Sequence, residues 1–207
     1  MIQEAIEGDH YQSISSNGEA LLKDKGSKFF AFARCVKSLD EFQSFLDELK
    51  SQYHDARHFC YAYRFQPKKP EVRINDDGEP AHSAGTPIFN AILSAELWDI
   101  AVVVVRYFGG TKLGVPGLIN AYRESAVEAL QNCQRIDIYL YRYYELRFPY
   151  SAMAEVMNIL HQSLFEIVTE TMAKDAGYII RCRESKLNIA LEQIKNLYQG
   201  ELKEINP

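Results

Sequence analysis

Two stretches of this chain carry residues that could do chemistry. The first is Arg106-Tyr107-Phe108-Gly109-Gly110-Thr111-Lys112-Leu113-Gly114-Val115-Pro116-Gly117, which holds four of the eleven glycines. Arg106 and Lys112 set two positive charges around a backbone that glycine leaves free to turn and to approach a ligand closely. A helix starting behind this loop adds unpaired N–H groups and partial positive charge, a combination that suits an anion such as phosphate. The candidate anion-binding set is therefore Arg106, Gly109, Gly110, Lys112, Gly114 and Gly117, joined by Lys28 and Arg64 from two other expected strands. The spacing matches neither G-x-G-x-x-G nor a Walker loop, so a tight strand-to-helix turn built for packing stands beside the anion reading.

The second stretch is Asn75-Asp76-Asp77-Gly78-Glu79-Pro80, followed by His82. Asp76, Asp77 and Glu79 offer hard oxygen ligands of the kind Mg²⁺ takes, and a solvated Asp-Gly turn is the alternative. If this segment faced the glycine loop, acids, a cation and a phosphate would make a metal-assisted phosphate site. Two other groupings carry less. His54-Asp55-Ala56-Arg57-His58 loosely echoes a zinc helix, but the helix before it should end near Tyr53. Ser83, His82 and Asp77 form a triad on paper only, since no Gly-x-Ser-x-Gly elbow is present.

The elements that must position these residues follow from periodicity. Ala101 to Val105 is a strand buried on both faces. Gly117 to about Gln134 is a helix with Leu118, Tyr122, Ala126, Leu130 and Cys133 on one stripe. Ser16-Asn17-Gly18 signals a hairpin between strands at 11–15 and 19–22. Lys28 to Val36 is a further strand. Ser38 with Glu41 is a capping box for a helix whose apolar face holds Phe42, Phe45, Leu46 and Leu49. Phe59, Tyr61, Tyr63 and Phe65 share a face of a strand, either core under a helix or a base-stacking platform. Residues 66–73 read as an exposed loop, and Thr86-Pro87 as the start of a helix.

A second unit begins near residue 138. Strands at 143–148, 165–172 and 177–183 alternate with helices at 149–161 and from Leu187 through Leu191 and Ile194 to Leu197. A turn is expected at Lys174-Asp175-Ala176-Gly177, and a last strand at Glu201–Ile205. The order β-α-β-β-α-β is the ferredoxin-like plan. The fold class is thus α+β: an α/β sandwich over residues 1–138 and a ferredoxin-like domain over 139–207.

The 207 residues are 47% hydrophobic and 25% charged, values typical of a folded globular chain, with a net charge of −5. Neither half is basic, which weighs against bulk coating of nucleic acid but leaves room for a local basic patch. Cys35, Cys60, Cys133 and Cys182 are scattered, with no Cys-x-x-Cys, and read as reduced thiols. No apolar run is long enough to span a bilayer and no signal-peptide pattern opens the chain, so a soluble cytoplasmic protein without a membrane partner is expected.

Residues 76–88 and 103–114, with Gly26-Ser27-Lys28-Phe29, His58-x-Cys60-Tyr61-Ala62-Tyr63 and Ala121-Tyr122, resemble the signature of the YigZ/IMPACT family over roughly residues 20–135. The resemblance implies a first domain like the second domain of a small-subunit ribosomal protein. It also implies a second domain resembling the last domain of elongation factor G. Eukaryotic relatives restrain a stress kinase that phosphorylates a translation initiation factor, by competing for that kinase's activator. The sequence departs from the family pattern after Gly114, where Val115-Pro116-Gly117 and Asn120 replace a paired glycine and an arginine. The expected function is a non-enzymatic binding protein that touches RNA, the ribosome or a nucleotide phosphate, or a translation-related protein partner, and needs no cofactor. The alternatives are a metal-assisted phosphate-ester enzyme using Mg²⁺ and a protein-interaction module acting through the second domain.

Overall fold

The computed structural model describes residues 5–172, 176–195 and 200–206. In chain order the elements are β1 (His10–Ile14), β2 (Gly18–Asp24), β3 (Ser27–Cys35), α1 (Leu39–Gln52), β4 (His58–Phe65), β5 (Glu71–Asn75), α2 (Gly85–Ser94), β6 (Ile100–Tyr107), α3 (Gly114–Gln131) and β7 (Arg135–Tyr139). Then follow β8 (Tyr141–Phe148), α4 (Met153–Gln162), β9 (Glu166–Met172), β10 (Ala176–Arg183), α5 (Leu187–Ile194) and β11 (Glu201–Ile205). The chain divides into two compact units, Met1–Ile6 with Tyr11–Ile138, and Glu7–His10 with Tyr139–Pro207.

In the first unit a five-stranded antiparallel sheet runs β2-β3-β6-β4-β5. β6 lies at its centre, and its alternation sorts the core. Val102 and Val104 face α2 and α3, beside Ile88, Ile92 and Tyr122, while Val103 and Val105 face α1, beside Phe42, Phe45 and Leu49. Both faces are dry, which is why the strand reads as unbroken valine. The aromatic face of β4, Phe59, Tyr61, Tyr63 and Phe65, lies in the α1 core and is no platform for bases. Ser38 caps α1, its hydroxyl taking the Glu41 N–H at 3.2 Å, as its position before the apolar stripe requires.

Four local expectations change. Asn17-Gly18 is not a hairpin turn, because β1 pairs with β7 and β2 pairs with β3. Gly18 is there for space: a Cβ on it would stand 2.1 Å from the Ala129 carbonyl oxygen of α3. The actual tight turn is Lys25-Gly26, both with positive φ, joining β2 to β3. The expected loop at 66–73 gives way at Glu71 to the edge strand β5. α3 begins at Gly114 and ends at Gln131, three residues early at each end. The fourth change, the cap of α2, belongs to the site.

The second unit is a four-stranded antiparallel sheet, β11-β8-β10-β9, with α4 and α5 packed on one face through Leu146, Phe148, Val156, Leu160, Ile180 and Ile194. This is the β-α-β-β-α-β arrangement of a ferredoxin-like domain. Ala176 and Gly177 belong to β10; Lys174, Asp175 and Leu197, expected in a turn and a helix, lie outside the described residues. Asp9 serves this unit, accepting from Arg183 Nη2 at 2.8 Å and from the Ser185 N–H at 3.0 Å. Among the described residues no helix is long and apolar enough to cross a membrane.

Candidate functional site

The acidic segment and the glycine loop do meet, at the end of β6. Glu79 Oε1 accepts from Arg106 Nη1 at 2.6 Å and from Tyr122 Oη at 2.7 Å. The side chains of Arg106 and Glu79 are 7% and 4% exposed, so this is a buried ion pair. Cys60 continues the network, its thiol 3.3 Å from Tyr122 Oη and 3.0 Å from the Asp76 carbonyl. Burial, with Cys60 and Glu79 alongside, drives the Tyr122 hydroxyl far above the usual phenol range, and burial likewise raises the Cys60 thiol. Both stay protonated at neutral pH, which makes the cluster a fixed polar core rather than a nucleophile with a base.

The other two acids are also spent on the fold. Asp76 Oδ1 accepts from the Ala84 and Gly85 N–H groups at 3.0 and 2.9 Å, and Oδ2 from the His82 N–H at 2.9 Å. It caps α2 from nine residues upstream, so Thr86 is not the cap; no side chain at Ala84, the residue before the helix, does so. Asp77 Oδ2 takes the Phe59 N–H at 2.7 Å and pins the start of β4. Asp76, Asp77 and Glu79, the candidate Mg²⁺ ligands, therefore point at three different partners. Among the described residues no three His, Cys, Asp or Glu side chains are grouped to hold a metal. The zinc alternative fails as well: α1 stops at Gln52, and His58 Nδ1 lies 2.8 Å from the Asp77 carbonyl oxygen. Ser83 donates to the Pro80 carbonyl, which leaves no triad with His82 and Asp77.

The expected cations separate into two sets. Arg64 is buried, donates through Nε to the Leu97 carbonyl and lies 4.3 Å above the Trp98 ring. Burial lowers its pKa to about 10. It is a core residue, unavailable to nucleic acid. Arg106 is largely consumed by Glu79, yet its Nε is buried without a hydrogen-bond partner. Lys28 and Lys112 are exposed, and each lines a cleft.

The glycines also divide. Gly109 donates its N–H to Ser27 Oγ at 3.1 Å, and a Cβ on it would lie 1.9 Å from the Gly26 carbonyl carbon. The absence of a side chain lets it make close backbone contact with the β2–β3 turn. Gly110 has φ +88° and faces open space, and Gly114 turns the chain into α3 with φ +73°. Gly117 sits in the first turn, 3.0 Å being all that a Cβ would have from Leu113 Cβ. No side chain caps α3 and no acid lies in its first turn. Its first N–H groups, those of Leu113, Gly114 and Val115, have no intrahelical acceptors, and Pro116 has no N–H to offer.

These parts border a cleft of about 360 Å³ lined by Glu79, Arg106, Phe108, Lys112, Gly114 and Val115. A second cleft of about 340 Å³ lies against Lys28, Phe30, Tyr53, Asp55, Tyr107 and Phe108. Both volumes are at the small end of the roughly 300–1,000 Å³ typical of ligand sites. Phe108 borders both and is 57% exposed. Phe108, Tyr107 and Tyr53 were not expected as site residues, and Asp55 entered only through the zinc-like grouping at 54–58. The available signal was a Tyr-Phe pair placed where a buried strand opens into a loop, where nothing apolar is needed for the core.

Residues 25–130 match the family described as the Impact N-terminal domain. The IMPACT family member YvyE of Bacillus subtilis is 30% identical over 190 residues, 92% of this chain and 88% of its own. The IMPACT family member YigZ of Escherichia coli is 32% identical over 109 residues, 52% of this chain and 53% of its own. A crystal structure titled only as a hypothetical protein superposes with a TM-score of 0.66, covering 96% of this chain and 98% of that one at 22% identity, a likeness of fold. The family match and the near full-length relative agree with the motifs quoted from residues 20–135, and this chain belongs to the YigZ/IMPACT family.

Proposed function

We propose that this chain is a non-enzymatic binding protein for unpaired RNA, working in the regulation of translation. The observation that carries the proposal is Phe108: an exposed ring at the end of the central strand, with a lysine-bearing cleft on either side. A solvent-facing aromatic flanked by lysines is the arrangement by which single strands are held. Bases stack on the ring while cations and free backbone N–H groups meet the phosphates. Lys112 and the uncapped start of α3 supply the phosphate contacts. Arg106 contributes little net charge, since Glu79 neutralises it. The translational setting comes from the family resemblance, through its eukaryotic members that restrain an initiation-factor kinase.

The test is fluorescence anisotropy with a labelled, unstructured RNA over a range of salt. Phe108→Ala should weaken binding by about 1–3 kcal/mol, the worth of one stacked base. Lys112→Ala should reduce the slope of log K against log salt by about 0.7, one phosphate contact on a single strand. A wild-type protein that ignores RNA, or variants that bind as it does, would refute the assignment.

A further inference from the structure

The second cleft has a composition of its own. Phe30, Tyr53, Tyr107 and Phe108 supply rings, and Asp55 and Lys28 supply the polar groups. The ladder between β3 and β6 fixes two walls, since Lys28 lies opposite Tyr107 and Phe30 opposite Val105. Phe30 meets Tyr107 edge-on at 6.0 Å between centroids and leans on Tyr53 at 5.4 Å. Phe30, Tyr53 and Tyr107 pack on the α1 side of the core yet are only half-buried, so part of each ring is left facing the cleft. A flat apolar ligand would cover it.

Asp55 is the carboxylate of the cleft. Tyr107 Oη donates to Asp55 Oδ1 at 2.5 Å and orients the carboxylate. The same bond raises the Tyr107 hydroxyl to about 12 and holds the Asp55 carboxyl below its usual range. At neutral pH Asp55 is therefore an acceptor only, with lone pairs beyond the one Tyr107 uses. Among the four RNA bases, guanine alone sets two donors side by side on its pairing edge, N1–H and N2–H. Adenine, cytosine and uracil each place an acceptor beside their donor, which a carboxylate repels.

We propose that this cleft is a guanine-selective base subsite, in which the base lies against the aromatic walls, donates N1–H and N2–H to Asp55, and leaves its phosphate to Lys28. The inference rests on the RNA-binding reading and names the base that reading leaves open. Aromatic rings around a carboxylate also suit a quaternary ammonium group. Lys28 in the same cleft opposes a cationic ligand and favours a nucleotide.

Two measurements test the subsite and separate it from the parent reading. In the first, guanosine, adenosine and choline are titrated into the full chain and followed by the NMR signals of its aromatic rings. Guanosine should bind about tenfold or more tighter than adenosine, and Asp55→Asn should erase the difference while leaving the thermal unfolding midpoint in place. In the second, uridine-rich hexamers carrying one guanine or one adenine are compared by anisotropy, with the same tenfold preference expected and the same loss in Asp55→Asn. Equal binding of guanosine and adenosine, a preference that survives Asp55→Asn, or tighter binding of choline than guanosine would each overturn the subsite. Selective guanosine binding without hexamer binding would sink the RNA reading and keep the subsite. Hexamer binding indifferent to the base would do the reverse.

Discussion

Glu79 and Arg106 form a buried ion pair, Oε1 to Nη1 at 2.6 Å, between the two most distinctive stretches of the sequence. Removing one partner strands the other's charge away from water. Arg106→Ala should therefore destabilise the first unit by about 3–5 kcal/mol, far more than loss of an exposed arginine would. Urea unfolding would measure it. The double variant Glu79→Gln with Arg106→Ala should cost less than the sum of the single changes, because the two residues share one interaction.

Asp76 holds three backbone donors at the start of α2. Asp76→Ala should cost roughly 2–3 kcal/mol by leaving those N–H groups without their acceptor. Asp76→Asn keeps a carbonyl oxygen and should cost less. Since the three carboxylates are committed to separate partners, millimolar Mg²⁺ or a chelator should leave the unfolding midpoint unmoved. A Mg²⁺-dependent rise in that midpoint would revive the metal reading.

Gly109 meets Gly26 backbone to backbone, with 1.9 Å left for a Cβ. Gly109→Ala should push the loop off the β2–β3 turn and cost at least about 2 kcal/mol. Gly110→Ala has open space, so its penalty should come from its positive φ alone, at about 1 kcal/mol. Comparing the two midpoints separates packing from backbone conformation.

Asp9 makes the second unit acid-sensitive. The Arg183 hydrogen bond, aided by Ser185, holds its carboxyl well below the ordinary value of 3.8. A depressed folded-state pKa means the stabilisation is complete above the unfolded value and is lost as pH falls through the folded one. Asp9→Asn should therefore cost about 2 kcal/mol at neutral pH. Its deficit against the wild type should shrink steadily as pH drops below 3.8, as read from amide exchange of Ile180 in β10.

The expected hairpin at Asn17-Gly18 and the expected cap at Thr86 failed for the same reason. In each case a local signal was outweighed by a partner distant in the chain, Ala129 for Gly18 and Asp76 for the start of α2. The Ser38 cap succeeded because its partner, the Glu41 N–H, lies within one helical turn. The order β8-α4-β9-β10-α5-β11 was legible because each element declares itself by its own period.

The candidate site divides along the same line. Its glycines, lysines and aromatic pair were visible as residues, and the family motifs could be read from their order. Which charges remain for a ligand was not visible. Arg64 finds Leu97 and Arg106 finds Glu79 across 33 and 27 residues, and Tyr107 meets Asp55 across 52. Periodicity and capping act within a few residues, so the sequence by itself determined most of the elements, the buried valine strand and the family, but not the edge strand β5 or β7. Neutralisation and exposure depend on neighbours brought together by the sheet. Only the tertiary structure decided that Arg64 and Arg106 belong to the interior, and that Phe108, Lys112, Lys28 and Asp55 face the solvent.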